Sequence, residues 1–246
     1  KYAEWYYGPQ RRILTSLKGA ISKQSSLFNK ASFIVAFQKI DEDRINRKFN
    51  NDWRNNRFED VQVYSLNVDF AKNLDDKQTV SYGAEATHNT VKSTAYSQNI
   101  QTLEKVITST RYPDGGSTMS TFATYFAYDR KVSKYAVFNS GVRYSRAILN
   151  STFSDTSLLH LPFDEINFNG GALSGSIGIM VEPDPTSKVN FILSTGFRSP
   201  NVDDYGKVFE KNGNVVVPNN QLKPENAYNG EISFVKSFRK TIKTVT

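Results

Sequence analysis

The chain has 246 residues, room for one large domain or two small ones, and its 38% hydrophobic residues and mean hydropathy of −0.51 hold no apolar run long enough for a membrane helix. A formal charge of +7 accompanies basic residues that are scattered and usually sit beside Asp or Glu, which argues against a nucleic-acid interface. Cysteine is absent, so disulfides, thiol chemistry and cysteine-based zinc sites are excluded. A membrane β-barrel escapes the hydropathy test, because only alternate residues of each strand face lipid. Aromatic residues at 13% suit both strands and the interfacial girdles of such barrels. The sequence opens at Lys1 without Met or signal peptide and stops at Thr246 inside what reads as a new strand, so a fragment or processed chain is expected.

Period-two alternation dominates from one end to the other. Arg11–Lys23 and Ala31–Ile40 form a weak pair carrying Ile13, Leu17 and Ile21, then Phe33, Val35 and Phe37. Val61–Asn73 places Tyr64, Leu66, Val68 and Phe70 on one face, with Ser65, Asn67, Asp69 and Ala71 on the other. Lys77–Asn89 follows after a very short turn, with Val80, Tyr82, Ala84 and Ala86 opposite Ser81, Gly83, Glu85 and Thr87. The unit recurs in Met119–Lys131 and Lys134–Leu149, then in Ala172–Val181 and Lys188–Arg198. Glu225–Phe238 is a further strand, and Thr241–Thr246 begins another.

This makes about nine strands of roughly 10–14 residues, longer than the 5–6 usual in globular sheets and sufficient to cross a bilayer. Short turns near 25–30, 75–76, 132–133, 183–186 and 239–240 alternate with long segments at Asp41–Asp60, Thr90–Thr118, Asn150–Gly171 and Ser199–Pro224. Short turns at one end and long loops at the other are the asymmetry of outer-membrane barrels. The predicted fold is an all-β antiparallel transmembrane barrel, with apolar faces toward lipid and the Ser, Gly, Asn and charged faces toward the lumen. Tyr64, Phe122 and Tyr144 are expected at the extracellular interface, and Phe70, Tyr128 and Phe138 at the periplasmic one. A soluble β-sandwich or solenoid is the alternative, but it needs neither such long strands nor the strict alternation.

Catalytic signals are weak, and no enzyme is expected. His88 and His160 lie near or within predicted loops and have no metal-binding spacing. Gly175-Ser176-Ile177-Gly178 reads as a small-residue strand facing the lumen, and Pro113-Asp114-Gly115-Gly116 as turn chemistry. No metal site or cofactor is predicted. The charged segment Asp41–Asp60 holds Arg44, Arg47, Lys48, Arg54 and Arg57 among Phe49, Trp53 and Phe58, a composition able to neutralise and stack on an anionic ligand. Arg44, Arg47, Trp53, Arg54 and Arg57 are therefore candidate ligand-loop residues, although flanking acids make a solvated, salt-bridged loop the simpler reading.

Two short stretches carry a resemblance. Phe197-Arg198-Ser199-Pro200-Asn201 closes one strand, and Pro218-Asn219-Asn220-Gln221-Leu222-Lys223-Pro224-Glu225 opens the next. They resemble the two boxes that bracket an extracellular loop in the later barrel of TonB-dependent receptors, and Glu231 matches a Glu of that family's following strand. Prolines at 200 and 224 suit the ends of pairing, since Pro donates nothing to the ladder. Arg198 is expected to pair with Glu225 or Glu231 and anchor the loop.

The resemblance implies that residues 1–246 are a partial barrel, about nine strands of a 22-stranded, plugged whole, with no plug domain in this chain. It implies energised import of a scarce nutrient, such as a ferric siderophore or similar bulky ligand, across the outer membrane of a Gram-negative bacterium. The partners would be outer-membrane lipid, the ligand, and the inner-membrane TonB complex acting through the plug. The haem branch of the family places a histidine between the boxes, and Asn201–Val217 has none, which counts against haem unless His88 or His160 serves from another loop. A passive pore or adhesion barrel and a soluble β-rich binding protein are the competing functions.

Overall fold

The computed structural model describes residues 1–155, 161–207, 209–211 and 214–238. Its strands are β1 (Tyr2–Tyr7), β2 (Arg11–Ser22), β3 (Lys30–Lys48), β4 (Trp53–Asn73), β5 (Gln78–Asn99), β6 (Lys105–Ile107), β7 (Ser117–Ser133), β8 (Ala136–Thr152), β9 (Glu165–Asp184) and β10 (Ser187–Arg198). After β10 come a single-turn helix α1 (Val202–Gly206), a small hairpin β11 (Phe209–Lys211) and β12 (Asn214–Val216), and finally β13 (Glu225–Lys236). Eleven of these strands form one open antiparallel sheet in the order β1-β3-β4-β5-β7-β8-β9-β10-β13, with β2 also on β3 and β6 also on β5. β1 pairs with Arg44–Lys48 and β2 with Lys30–Asp41, so the two share one position, interrupted at Gly8-Pro9-Gln10. β6 and β7 likewise share the position beside β5. The eleven strands thus fill nine places, the number of strands read from the sequence.

Cross-strand partners share a face, so the register carries each face across the sheet. One row runs Leu17, Val35, Leu66, Ala86 and Phe122. The next row, on the opposite face, runs Ser16, Ala36, Ser65, Thr87, Thr121 and Ala147. On the apolar face, Phe37 meets Tyr64 at 5.0 Å between ring centroids near one edge of the belt. Phe70 lies 5.1 Å from Tyr82 and 5.7 Å from Phe28 near the other. Among the described residues nothing covers this face: Leu17 is 64% exposed, Leu173 70% and Tyr228 85%. At about 25 cal/mol per Å² of apolar surface, such exposure is strongly unfavourable in water and unremarkable in hydrocarbon. That decides for a membrane barrel wall over a soluble sandwich.

The lumenal face is built from small and polar side chains. Midway down, Tyr125 lies across Gly83 and donates to Asp69 Oδ1 at 2.7 Å, while Arg143 pairs with Glu85. A Cβ on Gly83 would come within 2.5 Å of the Val68 carbonyl oxygen and 2.7 Å of the Tyr125 ring, so the close approach requires glycine.

The expected long loop at Asp41–Asp60 is not a loop. β3 and β4 stay paired through Asn46↔Asn55, and only residues 49–52 turn, with Asn50 at φ 56°. The 21 and 22 residues of β4 and β5 span roughly 70 Å at ~3.3 Å each, well beyond what a tilted strand needs to cross ~30 Å of hydrocarbon. Their upper halves therefore stand above the bilayer, where both faces are wet and apolar alternation has no reason to exist. Like charges even face each other there. Asp41 opposes Asp60, with Lys39 3.0 Å from Asp60 and 3.6 Å from Asp41 to offset them.

The expected loop Thr90–Thr118 is similarly shortened, since β5 runs to Asn99 and β6 returns beside it. β9 begins at Glu165, inside the expected loop Asn150–Gly171. His88 sits within β5 on the apolar side, opposite Tyr64 and Ser120, and not in a loop. It therefore cannot reach a lumenal ligand from there. His160, the turn at 239–240 and the stub Thr241–Thr246 lie outside the described residues.

Candidate functional site: the upper lumenal wall

The two boxes bracket a segment that folds inward onto the lumenal face. Asn201 caps α1: its Oδ1 accepts from the Asp204 N–H at 3.0 Å, and Asp204 Oδ2 accepts from the Asn201 N–H at 3.0 Å. This reciprocal capping box holds a helix too short to stand by itself. Arg198 locks it to the sheet, donating to both carboxylate oxygens of Asp204 at 2.8 Å and to Glu225 at 2.9 Å. Of its two expected partners, Glu225 is met and Glu231 is not, because Glu231 lies across from Ile192, farther down the sheet.

The second box closes from the other side. Tyr205, 1% exposed, donates its hydroxyl to the Leu222 carbonyl at 2.9 Å, and its own carbonyl accepts from the Asn219 N–H at 3.2 Å. Its ring lies 5.9 Å from Phe168, in a cluster with Leu149, Phe153, Ile166 and Val202. Pro200 and Pro218 are buried, whereas Lys223 is exposed and Phe197 lies on the lipid side. Ser199 donates to the Pro200 carbonyl at 3.2 Å. The boxes thus meet around α1 as its clasp.

A second segment meets this one. Between β6 and β7 the chain makes an excursion in which Pro113 packs on Gly206, and Asp114 accepts from the N–H groups of Ser154 and Asp155 at 2.9 and 2.8 Å. Gly116 takes φ +93°, so the four residues 113–116 do act as a turn. The excursion carries Arg111 and Tyr112 to Asp203 of α1. Tyr112 Oη donates to Asp203 Oδ1 at 2.9 Å, Arg111 Nη2 lies 3.3 Å from the same oxygen, and Lys207 Nζ is 2.9 Å from Oδ2. Burial and the adjacent Asp203 carboxylate push the Tyr112 hydroxyl well above its usual pKa, so it stays a donor.

From there the network crosses to the β3–β4 hairpin, above the membrane belt. Arg111 lies 3.7 Å from Glu42, and Arg44 pairs with Glu42 at 2.6 Å while resting 4.8 Å from the Tyr7 ring centroid. Arg57 donates to the Ser109 carbonyl at 2.9 Å, and burial lowers its pKa without discharging it. Glu59 is buried, opposite Glu42, and takes one long bond of 3.4 Å from Ser93 Oγ. Its other oxygen has no hydrogen-bond partner among the described residues. Burial is the main reason its pKa rises to about 7; Glu42 adds to the rise, while Arg44 and Arg57 oppose it.

Among the candidate ligand-loop residues, the register places Arg44, Arg57 and Trp53 on the lumenal face, and Arg54 on the opposite one. Arg47 pairs with Glu4 at 3.2 Å, and Arg54 bonds Gln98 at 3.3 Å. Sequence reasoning missed Arg111, Tyr112, Asp203 and Glu59. No local motif marks them, since they meet only when two segments about 90 residues apart fold onto one wall.

The comparisons follow this geometry. The family model described as TonB dependent receptor-like, beta-barrel, matches residues 3–244. The chain belongs to this family of TonB-dependent receptor β-barrels. These are Gram-negative outer-membrane barrels that act as receptors and transporters and not as enzymes. No curated protein matches the chain in sequence. Among solved structures it is similar to the copper transporter OprC, at 13% identity and TM-score 0.80, covering 96% of this chain and 37% of that one. It is similar to the siderophore receptor PiuA of Acinetobacter baumannii, at 12% identity and TM-score 0.69, over 92% and 37% of the two chains. The ferric yersiniabactin uptake receptor FyuA of Yersinia pestis gives 15% identity and TM-score 0.64 over 97% and 35%. The chain thus spans little more than a third of these receptors' length.

Two outcomes follow from the wall. Tyr205→Ala should weaken docking of the 199–224 segment by about 3 kcal/mol, read as new protease cleavage there in the otherwise folded full-length protein. Glu59 binds its proton more tightly when the hairpin and excursion are packed than when they open. Packing stability is therefore greatest below about pH 4.5 and falls as pH rises through about 7, by at most ~1.4 kcal/mol per unit. Amide hydrogen exchange over 53–60 and 109–113, corrected for intrinsic rates, should show faster opening at pH 8 than at pH 5. Glu59→Gln should remove that difference.

Proposed function

We propose that the chain forms part of the wall and ligand vestibule of an outer-membrane importer. It would take up a bulky nutrient, such as a ferric siderophore, with energy delivered by the inner-membrane TonB complex. The observation that carries this reading is the upper lumenal wall, where Arg44, Arg57 and Arg111 stand with Tyr7 and Tyr112 above the belt. Three guanidiniums, two of them resting on aromatic rings, suit a large anionic, partly unsaturated ligand better than a bare soft metal ion. Thioethers are scarce, as Met119 packs against the Tyr205 cluster and Met180 is the other methionine. The segment 201–217 between the boxes holds no histidine and His88 faces away from the lumen, which counts against haem. Passive diffusion through a pore gives no reason for a loop clasped inward against the wall by Arg198, Asp203 and Tyr205.

A strain lacking the parent gene should lose growth when a ferric siderophore taken up by the wild type is the sole iron source. Disabling the inner-membrane energy complex should cause the same loss, and Arg57→Ala in the full-length protein should lower uptake roughly tenfold. Uptake that persists without the energy complex would refute active import.

A further inference from the structure

The guanidinium cluster on the upper wall has an acid beside it that it does not use. On the lumenal face Arg44 stands directly opposite Arg57, and one row below, Glu42 stands directly opposite Glu59. Like charges facing across a strand pair destabilise it unless each finds a partner. Arg44 finds one, since its Nε and Nη2 both lie 2.6 Å from Glu42 Oε1. Arg57 does not. It donates to the carbonyl and hydroxyl oxygens of Ser109 at 2.9 and 3.4 Å, and among the described residues no carboxylate comes within 4 Å of it.

Glu59 lies two residues along the same face of β4 and is 5% exposed. Its Oε1 takes only the long bond from Ser93 of β5, and its Oε2 has no hydrogen-bond partner among the described residues. A buried carboxyl with an unused oxygen and a guanidinium without a carboxylate are two halves of an ion pair. Burial is the main reason they stay apart, raising the Glu59 pKa to about 7 against the pull of Arg44 and Arg57. Glu42 of β3 faces it as well, and from the excursion Tyr112 bonds Ser93 while Arg111 reaches Glu42. Tyr7 of β1 lies beyond Arg44, and Asp203 and Lys207 of α1 lie beyond Tyr112. An anion arriving at Arg44 and Arg57 would sit beside Glu59 and repel its ionised form, so bound anion and bound proton favour each other.

We propose that Glu59 is a proton-controlled internal competitor for the ligand: neutral, it leaves Arg57 and Arg44 to an anion from outside, and ionised, it supplies their counter-charge from within the wall. This rests on the importer reading above and names the regulation of the same site. Below about pH 7 the anion binds without competition. Above it Glu59 must take up a proton for the anion to bind, so affinity falls as pH rises.

The test uses the full-length protein in detergent at constant ionic strength, with pyrenetetrasulfonate as an aromatic anion whose sulfonates stay ionised from pH 6 to 8. Fluorescence anisotropy should give a Kd about five- to tenfold weaker at pH 8 than at pH 6 for the wild type. Glu59→Gln should bind with one affinity across that range, and Arg57→Gln roughly tenfold more weakly than wild type at pH 6. Heat-modifiable migration of each variant confirms that the barrel is folded. Independently of any variant, binding heats at pH 8 in buffers of different ionisation enthalpy should show close to one proton taken up by the wild type. Wild-type affinity that is equal at both pH values or tighter at pH 8, binding without proton uptake, or a pH dependence that survives in folded Glu59→Gln overturns the proposal and leaves the importer reading in place. Absence of binding at both pH values overturns the anion-binding wall itself, and both readings with it.

Discussion

The structure depends on one constraint: no backbone N–H or C=O can be left unpaired in hydrocarbon. An antiparallel ladder meets it only while every strand keeps its register with both neighbours. From β3 to β10 the register runs without a slip across the belt, and irregularities are confined to ends, at Lys131/Ser133 and Ser187/Val189. Because a slip of one residue would turn every side chain to the other face, the ladder also fixes the chemistry of each face. Tyr64 meets lipid and Ser65 meets the lumen for the same reason. Gly83 admits Tyr125 against the lumenal backbone within that ladder.

Above the membrane the constraint relaxes, and a different logic takes over. The β3–β4 hairpin continues because pairing is still favourable, but its side chains no longer separate into apolar and polar faces. They form charge clusters instead. The lumenal cluster is joined to two inward-folded segments, the clasped helix α1 and the Arg111–Tyr112 excursion. Glu59 in its middle is costly to ionise, while Glu42 and Asp203 hold the inward-facing guanidiniums of Arg44 and Arg111. That arrangement links the framework role of the two boxes to the guanidinium cluster on the wall.

How much of this was legible in the sequence follows from the same physics. The belt was readable because lipid imposes strict alternation: Tyr64, Leu66, Val68 and Phe70 announce their face, and the nine strand positions follow. The upper strands were not, because Asp41 through Asp60 are wet on both faces and carry no apolar period, so a paired hairpin reads as a charged loop. β1 escaped notice because Pro9 breaks a single strand position into two short pieces. The boxes pointed to Arg198 and Glu225, whose partnership is local to one strand pair. Asp203, Tyr112, Arg111 and Glu59 were invisible, since their meeting depends on how loops fold across the wall and leaves no spacing in the chain.

The central claim is that the strands cross a membrane, with the 49–52 turn outside and the 74–77 turn inside. The chain has no cysteine, so single-cysteine variants of the full-length protein, Asn51→Cys and Asp76→Cys, report topology directly once any other cysteines in that protein are replaced. In intact cells a membrane-impermeant maleimide should label Asn51→Cys and spare Asp76→Cys until the outer membrane is permeabilised. Equal labelling of both before permeabilisation, or the reverse order, would contradict the account.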